Sequence, residues 1–186
     1  MFVELDNSIV GFSSVWALNI IGREAKKVKP SGWIVELGSY CGRSSFVLGK
    51  NKHPSVKLTC VDQWPVTPTP VPIEDYVYGN VNTSFNYSEF LNNTAGIENI
   101  ETLTCTLPLE VSYLEFSKKI DLLFIDLYQD HDLYVNQLSY WYRFMAQPST
   151  IVVNDVASNK SSIEDFCHRF GLSFVNDSNL AIIAIT

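Results

Sequence analysis

The sequence predicts an α/β fold built on a doubly wound, mostly parallel sheet, and three observations carry that prediction. Short apolar runs alternate with stretches of helical periodicity, the pattern of strand-helix-strand units. Four of these runs finish in or beside an acid, at Glu36, Asp62, Asp126 and Asp155, so carboxylates gather at one edge of the sheet. The last two of seven apolar segments, Leu172 to Val175 and Leu180 to Ile185, are separated only by Asn176-Asp177-Ser178-Asn179, which is the spacing of an antiparallel hairpin. At 186 residues and 46% hydrophobic, the chain is long enough for one well-buried core and too short for two ordinary domains, so 1–186 is expected to be one domain.

Within an N-terminal segment of 1–30, Asp6 or Ser8 can cap a first helix running to about Lys27. Ile9, Phe12, Trp16, Ile20 and Ile21 would share one face, and lysines fall in the last turn, where the helix dipole favours them. Lys29-Pro30-Ser31-Gly32 ends it. Trp33-Ile34-Val35-Glu36-Leu37 is an apolar run holding one charge, as in a strand covered on both faces. Gly38 and Gly42 then let the backbone turn sharply and approach a ligand with no Cβ in the way. Ser44 and Ser45 begin the next helix, about Arg43 to Lys50, whose free N–H groups point at whatever fills the crevice.

Val56 to Asp62 is a second buried strand, and its terminal acid lies roughly 20 residues beyond the glycine turn, where a ribose-binding carboxylate belongs. Residues 64–86 carry Pro68, Pro70 and Pro72 at alternate positions, followed by Tyr76, Tyr78 and Phe85. This stretch is stiff, cannot join a sheet and reads as an aromatic-rich lid or binding loop. Ser88 to Ala95 is a helix, Glu98 to Cys105 a third strand, and Pro108 fits the first turn of a helix to about Phe116. Ile120 to Asp126 is a fourth, very apolar strand. A helix from about Asp132 to Met145, a fifth strand from Ser149 to Asp155, and a helix from about Ser161 to Phe170 lead to the hairpin.

Composition excludes several classes of function. The formal net charge of -7 argues against a nucleic-acid substrate, because phosphate binding needs clustered Lys and Arg and the one cluster, Lys26, Lys27 and Lys29, is short. A small-molecule acceptor fits better. Cys41, Cys60, Cys105 and Cys167 form no Cys-x-x-Cys pair, so free buried thiols in a reducing compartment are expected and zinc is not. The opening residues lack the basic start of a signal peptide, and the best apolar run there, Val15 to Ile21, is too short to span a bilayer. A cytoplasmic protein without membrane contact is the expectation.

Glu36-Leu37-Gly38-Ser39-Tyr40-Cys41-Gly42-Arg43-Ser44-Ser45 resembles the first motif of class I S-adenosylmethionine-dependent methyltransferases, in particular the small-molecule O-methyltransferase branch known as methyltransferase family 24. The resemblance implies a Rossmann-like, seven-stranded, mostly parallel sheet closed by an antiparallel hairpin. It implies that Glu36, Gly38, Ser39, Tyr40, Gly42, Ser44 and Ser45 hold the methionine part of S-adenosylmethionine and that Asp62 holds the ribose hydroxyls. Asp62-Gln63-Trp64 matches the family's Asp-x-Trp, which adds Gln63 and Trp64 to the cofactor set. Thr106-Leu107-Pro108 stands where relatives write Asp-Ser near the adenine. Because the turn is Glu-x-Gly-x-x-x-Gly and not Gly-x-Gly-x-x-Gly, an NAD-dependent oxidoreductase is a weaker alternative.

Neighbouring parallel strands lie about 4.8 Å apart, so the oxygens of Asp126, Asn154 and Asp155 could converge on a hard cation such as Mg²⁺. This resembles the metal site of the catechol and macrolide-sugar O-methyltransferases. Phe124-Ile125-Asp126-Leu127-Tyr128-Gln129-Asp130-His131 departs from Phe-Ile-Asp-Gly-Asp-His-x-Tyr, since Gln129 falls at the family's His and His131 at its Tyr. Gln129 cannot act as a base. His131, with Asp126, is the catalytic candidate for removing the acceptor proton, and a solvated helix-start role for His131 stays open beside it. Trp141 also has a family counterpart, although the aromatic set Tyr134, Tyr140, Trp141, Tyr142 and Phe144 reads mainly as core. The expected function is O-methylation of a small molecule with divalent-metal assistance, the rival being a non-catalytic cofactor-binding relative. A homo-oligomer stays open.

Overall fold

The computed structural model describes residues 2–64, 87–105, 118–127 and 130–186. Most of the expected 64–86 loop, the helix expected after Pro108, and Gln129 lie outside them. Twelve elements follow in the order α1 (Val15–Lys27), β1 (Trp33–Leu37), α2 (Arg43–Asn51), β2 (Lys57–Asp62), α3 (Tyr87–Asn93), β3 (Ile100–Thr104), β4 (Ile120–Ile125), α4 (His131–Tyr142), β5 (Met145–Asn154), α5 (Val156–Phe170), β6 (Phe174–Asp177) and β7 (Leu180–Ile185). The seven strands form one sheet in the order β3-β2-β1-β4-β5-β7-β6. Pairings among β1 to β5 are parallel, and β7 runs antiparallel between β5 and β6. The Rossmann-like sheet with its terminal hairpin is therefore as the sequence predicts.

Alternation along the strands splits the core into two layers, because successive side chains point to opposite faces. Val35, Leu37, Leu123, Ile125, Ile151 and Val153 pack with Tyr134, Leu138, Trp141, Ile163 and Phe166 of α4 and α5. Ile34, Leu58, Cys60, Leu122, Phe124 and Val152 pack on the other face with Leu18, Ile21, Val47 and Leu48 of α1 and α2. Strand order reverses between β1 and β4, which is the switch point where ligands bind in open α/β sheets. There the two chains come very close. Asp126 N–H donates to Leu37 O at 2.9 Å, and a Cβ on Gly38 would lie 2.1 Å from the Asp126 carbonyl oxygen.

The largest differences from expectation at helix ends are at α1, α4 and α5, each through a partner distant in sequence or a local hydrogen bond. The first helix starts at Val15 and not near Asp6 or Ser8, because the Asp6 carboxylate accepts from the Ser8 N–H and hydroxyl and closes a turn, while Ser14 caps α1 by accepting from Ala17 N–H at 3.1 Å. Phe12 and Trp16 consequently stand outside the core, more than half exposed. The fourth helix ends at Tyr142 and not Met145, since Ile120 N–H donates to Phe144 O at 2.8 Å and Met145 pairs with Ile120 as the start of β5. The fifth begins at Val156 and not Ser161. Asn179, in the hairpin turn, accepts from Val156 N–H with its carbonyl and from Ala157 N–H with its side chain, capping α5 from outside the helix.

The close approach at the switch point makes a quantitative prediction. Gly38 and Gly96 both have positive φ, at 87° and 76°, but a Cβ on Gly96 would meet nothing within 4 Å. Gly96→Ala should lose only about 1–2 kcal/mol, the cost of a left-handed L-residue. Gly38→Ala adds overpacking against backbone and should lose about 3 kcal/mol or more. Urea denaturation of the two variants against the parent checks the difference.

Candidate active site

The turn from β1 into α2 is set by Gly38, Tyr40 and Gly42, all with positive φ. Gly42 is the N-cap of α2 and supplies no side-chain bond, so the first N–H groups of the helix have no side-chain acceptor. Beside this turn, Asp62 at the end of β2 accepts from Tyr40 N–H at 2.8 Å through one oxygen and from Gln63 N–H at 2.7 Å through the other. Trp64 N–H also points at the Gln63-bound oxygen, at 3.4 Å, so of a carboxylate's roughly four acceptor sites Asp62 keeps about one for a ligand hydroxyl. Trp64 is buried, donates its indole N–H to Tyr40 O at 2.8 Å, and packs on Tyr87 and Phe90 of α3. It therefore walls and braces the turn. A helix start whose N-cap residue supplies no side-chain acceptor, beside an acid at the end of the adjoining strand, suits a ligand with a carboxylate at one end and hydroxyls beyond it.

Glu36, Ser39, Ser44 and Ser45 occupy a different place. Strand parity puts Glu36 on the face of Ile34, beneath α2, where it is fully buried. Its Oε2 accepts from Ser39 Oγ at 2.7 Å and from Ser45 Oγ. Burial pushes its pKa up, and hydrogen bonding only partly offsets that. Ser39 and Ser45 tie the glycine turn and the first turn of α2 to the floor of the site.

The second half of the site lies at the ends of β4 and β5. Asp126 and Asn154 fall on the α1 face, and Asn154 Nδ2 donates to Asp126 Oδ1 at 3.0 Å. Asp126 Oδ2 accepts from Ser13 Oγ at 3.0 Å, and burial raises the pKa of the carboxyl. Asp155, the left-handed N-cap of α5 at φ 58°, accepts from Asn179 Nδ2 at 3.0 Å, and its charge helps to raise the pKa of Asp126. The structure thus brings Asp126 and Asn154 together as acceptor and donor and engages Asp155 with Asn179. A divalent cation needs several oxygens turned toward one point, and as folded Asn154 presents its amide nitrogen to Asp126. Among the described residues no group of three His, Cys, Asp or Glu side chains could hold a metal. His131 begins α4 half-exposed, beside Asp132 and 4.0 Å from Asp165 of α5.

Sequence reasoning missed the residues that precede α1. Gly11 O accepts from Arg43 Nη1 at 2.9 Å, Phe12 lies against the Tyr40 ring with centroids 5.6 Å apart, and Ser13 reaches Asp126. The segment thereby spans the switch point, touching α2, the glycine turn and β4. Helical periodicity assigns Phe12 to the first helix and not to the site, and Ser13 is separated from Asp126 by 113 positions. A cavity of about 400 Å³ lined by Glu24, Lys27, Asp121, Gln147 and Pro148 lies at the opposite edge of the sheet, away from this constellation.

Residues 35–156 match a family described as a methyltransferase domain. No curated protein matches the chain. Among solved structures, the O-methyltransferase TomG from Streptomyces achromogenes, involved in tomaymycin synthesis and in complex with SAM, has a TM-score of 0.68 at 14% identity, covering 94% of this chain and 81% of its own. The SAH-bound Podospora anserina methyltransferase PaMTH1 has a TM-score of 0.68 at 13% identity, covering 94% and 79%. A ribosomal protein L11 methylase from Lactobacillus delbrueckii subsp. bulgaricus has 0.62 at 14%, covering 99% and 84%. At these identities the likeness is one of fold. No helix among the described residues is long and apolar enough to cross a membrane.

Glu36 generates a pH prediction. Its folded-state pKa is raised, so its contribution to stability is fully present below the ordinary carboxylate range and is lost as pH climbs toward the folded value. Glu36→Gln cannot ionise. Relative to the parent, that variant should gain stability progressively as pH rises above the ordinary carboxylate range in a urea-denaturation series. A constant difference across the series would refute the burial argument.

Proposed function

The chain belongs to the methyltransferase domain family, and on that premise we propose that it transfers the methyl group of S-adenosylmethionine to a hydroxyl of a small molecule. The observation that carries the reading is the convergence, at one switch point, of the start of α2, Asp62 and the half-buried Asp126. The cofactor supplies an electrophilic methyl on a sulfonium. The α2 amides would take its carboxylate, with Gly38, Tyr40 and Gly42 shaping the backbone around it. Asp62 would take the ribose hydroxyls, and Trp64 would wall the turn beside Gln63. Glu36, Ser39, Ser44 and Ser45 would act from below, by holding that backbone in place.

Across the cleft, Asp126 would orient the acceptor hydroxyl and take its proton as the oxygen–methyl bond forms. Its raised pKa suits a base that must bind a proton transiently. His131 is less suited to the role, since its ring faces Asp132 and Asp165. The acidic balance of the chain supports a small acceptor over a nucleic acid. A cofactor-binding protein that does not turn over is the second reading, favoured by the amide donors of Asn154 and Asn179 that already occupy Asp126 and Asp155.

S-adenosylhomocysteine at 100 times its dissociation constant should stabilise the fold by about 2.7 kcal/mol, raising the melting temperature by roughly 5–10 °C, while NAD should not. Asp62→Ala should reduce that shift by removing a charge-assisted bond of about 1.5–3 kcal/mol. A thermal shift with NAD alone would overturn the cofactor assignment. In a screen of hydroxylated acceptors with methyl-labelled cofactor, Asp126→Asn should slow transfer by about 10²–10⁴-fold, and His131→Ala should leave it within a few-fold. Cofactor binding without transfer to any acceptor would favour the second reading.

A further inference from the structure

Both oxygens of Asp126 face neutral hydrogen-bond donors, Ser13 Oγ on one side and Asn154 Nδ2 on the other, each at 3.0 Å. A cation bound to Asp126 would need those lone pairs and would meet the positive ends of two polar bonds. Ser13 is 6% exposed, and its position does not depend on one contact. The residues ahead of it are fixed by Arg43 on Gly11 O and by Phe12 against Tyr40, while Ser14, just after it, caps α1. Asp155, the third oxygen donor a metal would require, already accepts from Asn179 Nδ2 through Oδ1.

We propose that Ser13 is a positioning residue that, together with Asn154, holds Asp126 in place of a metal ion. The inference rests on the methyltransferase reading for its catalytic meaning and on the hydrogen bonds alone for its structural part. Two charge-assisted bonds fix the plane of the carboxylate, as a cation would, but leave its charge in place for the acceptor proton. A metal site anchors two adjacent acceptor oxygens. This one has no use for the second, so acceptors with a single hydroxyl should serve as well as vicinal diols.

Two arms test the proposal on the full chain. In the first, Mn²⁺ is titrated into the protein with and without S-adenosylhomocysteine and free ion is followed by electron paramagnetic resonance. The free signal should track added ion; one-to-one loss of signal that disappears in Asp126→Asn would overturn the proposal. In the second, transfer should survive exhaustive chelation. Ser13→Ala should lower kcat by about 10- to 100-fold while the cofactor KM stays within about two-fold, and Ser13→Thr, which keeps the hydroxyl, should restore most of the rate. Wild-type kcat in Ser13→Ala, or loss of transfer on chelation with recovery on Mg²⁺, would overturn it. If no acceptor is methylated, the functional reading fails, and the Mn²⁺ arm still decides whether Ser13 and Asn154 stand where a metal would.

Discussion

The site depends on how closely two strand ends approach at the switch point. The carbonyl of Asp126 sits where a side chain at position 38 would begin, so β1 and β4 can finish side by side only if residue 38 is glycine. That contact places the glycine turn and the Asp126 carboxylate on a shared edge and leaves the start of α2 facing the gap between them. Backbone geometry, not side-chain reach, therefore fixes the distance between the glycine turn and the Asp126 carboxylate. Preorganisation of this kind costs little at the moment of reaction, because nothing large must move to assemble it.

A second organising effect is alternation along the strands. It sends Glu36 beneath α2 and Asp126 and Asn154 toward α1. The family pattern brings these acids to one edge of the sheet but does not assign them to one face. The serines around Glu36 show the same effect, since a motif associated with ligand holding spends its hydroxyls on a buried carboxylate.

Much of the fold was legible in the sequence. Trp33 to Leu37, Ile120 to Ile125 and the Leu180 segment are continuous apolar runs that only a doubly covered sheet buries, and the spacing of the last two segments allowed only a short turn. Boundaries were less legible where the deciding partner is far along the chain, as with Asn179 capping α5 or Ile120 drawing Met145 into β5. The site was half legible. Gly38, Gly42 and Asp62 carry a local signature in turn chemistry and spacing. Ser13 carries none, because its role comes from a contact between the start of the chain and the end of β4.

The hairpin that closes the sheet also governs how the molecule meets its neighbours. With β7 inserted between β5 and β6, the two ends of the sheet are β3 and the four-residue β6. β3 carries Glu101, which accepts from Thr59 and pairs with Lys57, and β6 exposes Val175 but finishes in Asn176 and Asp177. Short edge strands bearing acids and amides are poor templates for another strand, since a second chain would have to desolvate those groups to pair. The apolar strands that make up the middle of the sheet would be aggregation-prone if laid bare. Two polar, abbreviated margins keep a strongly hydrophobic sheet from extending itself into a fibre.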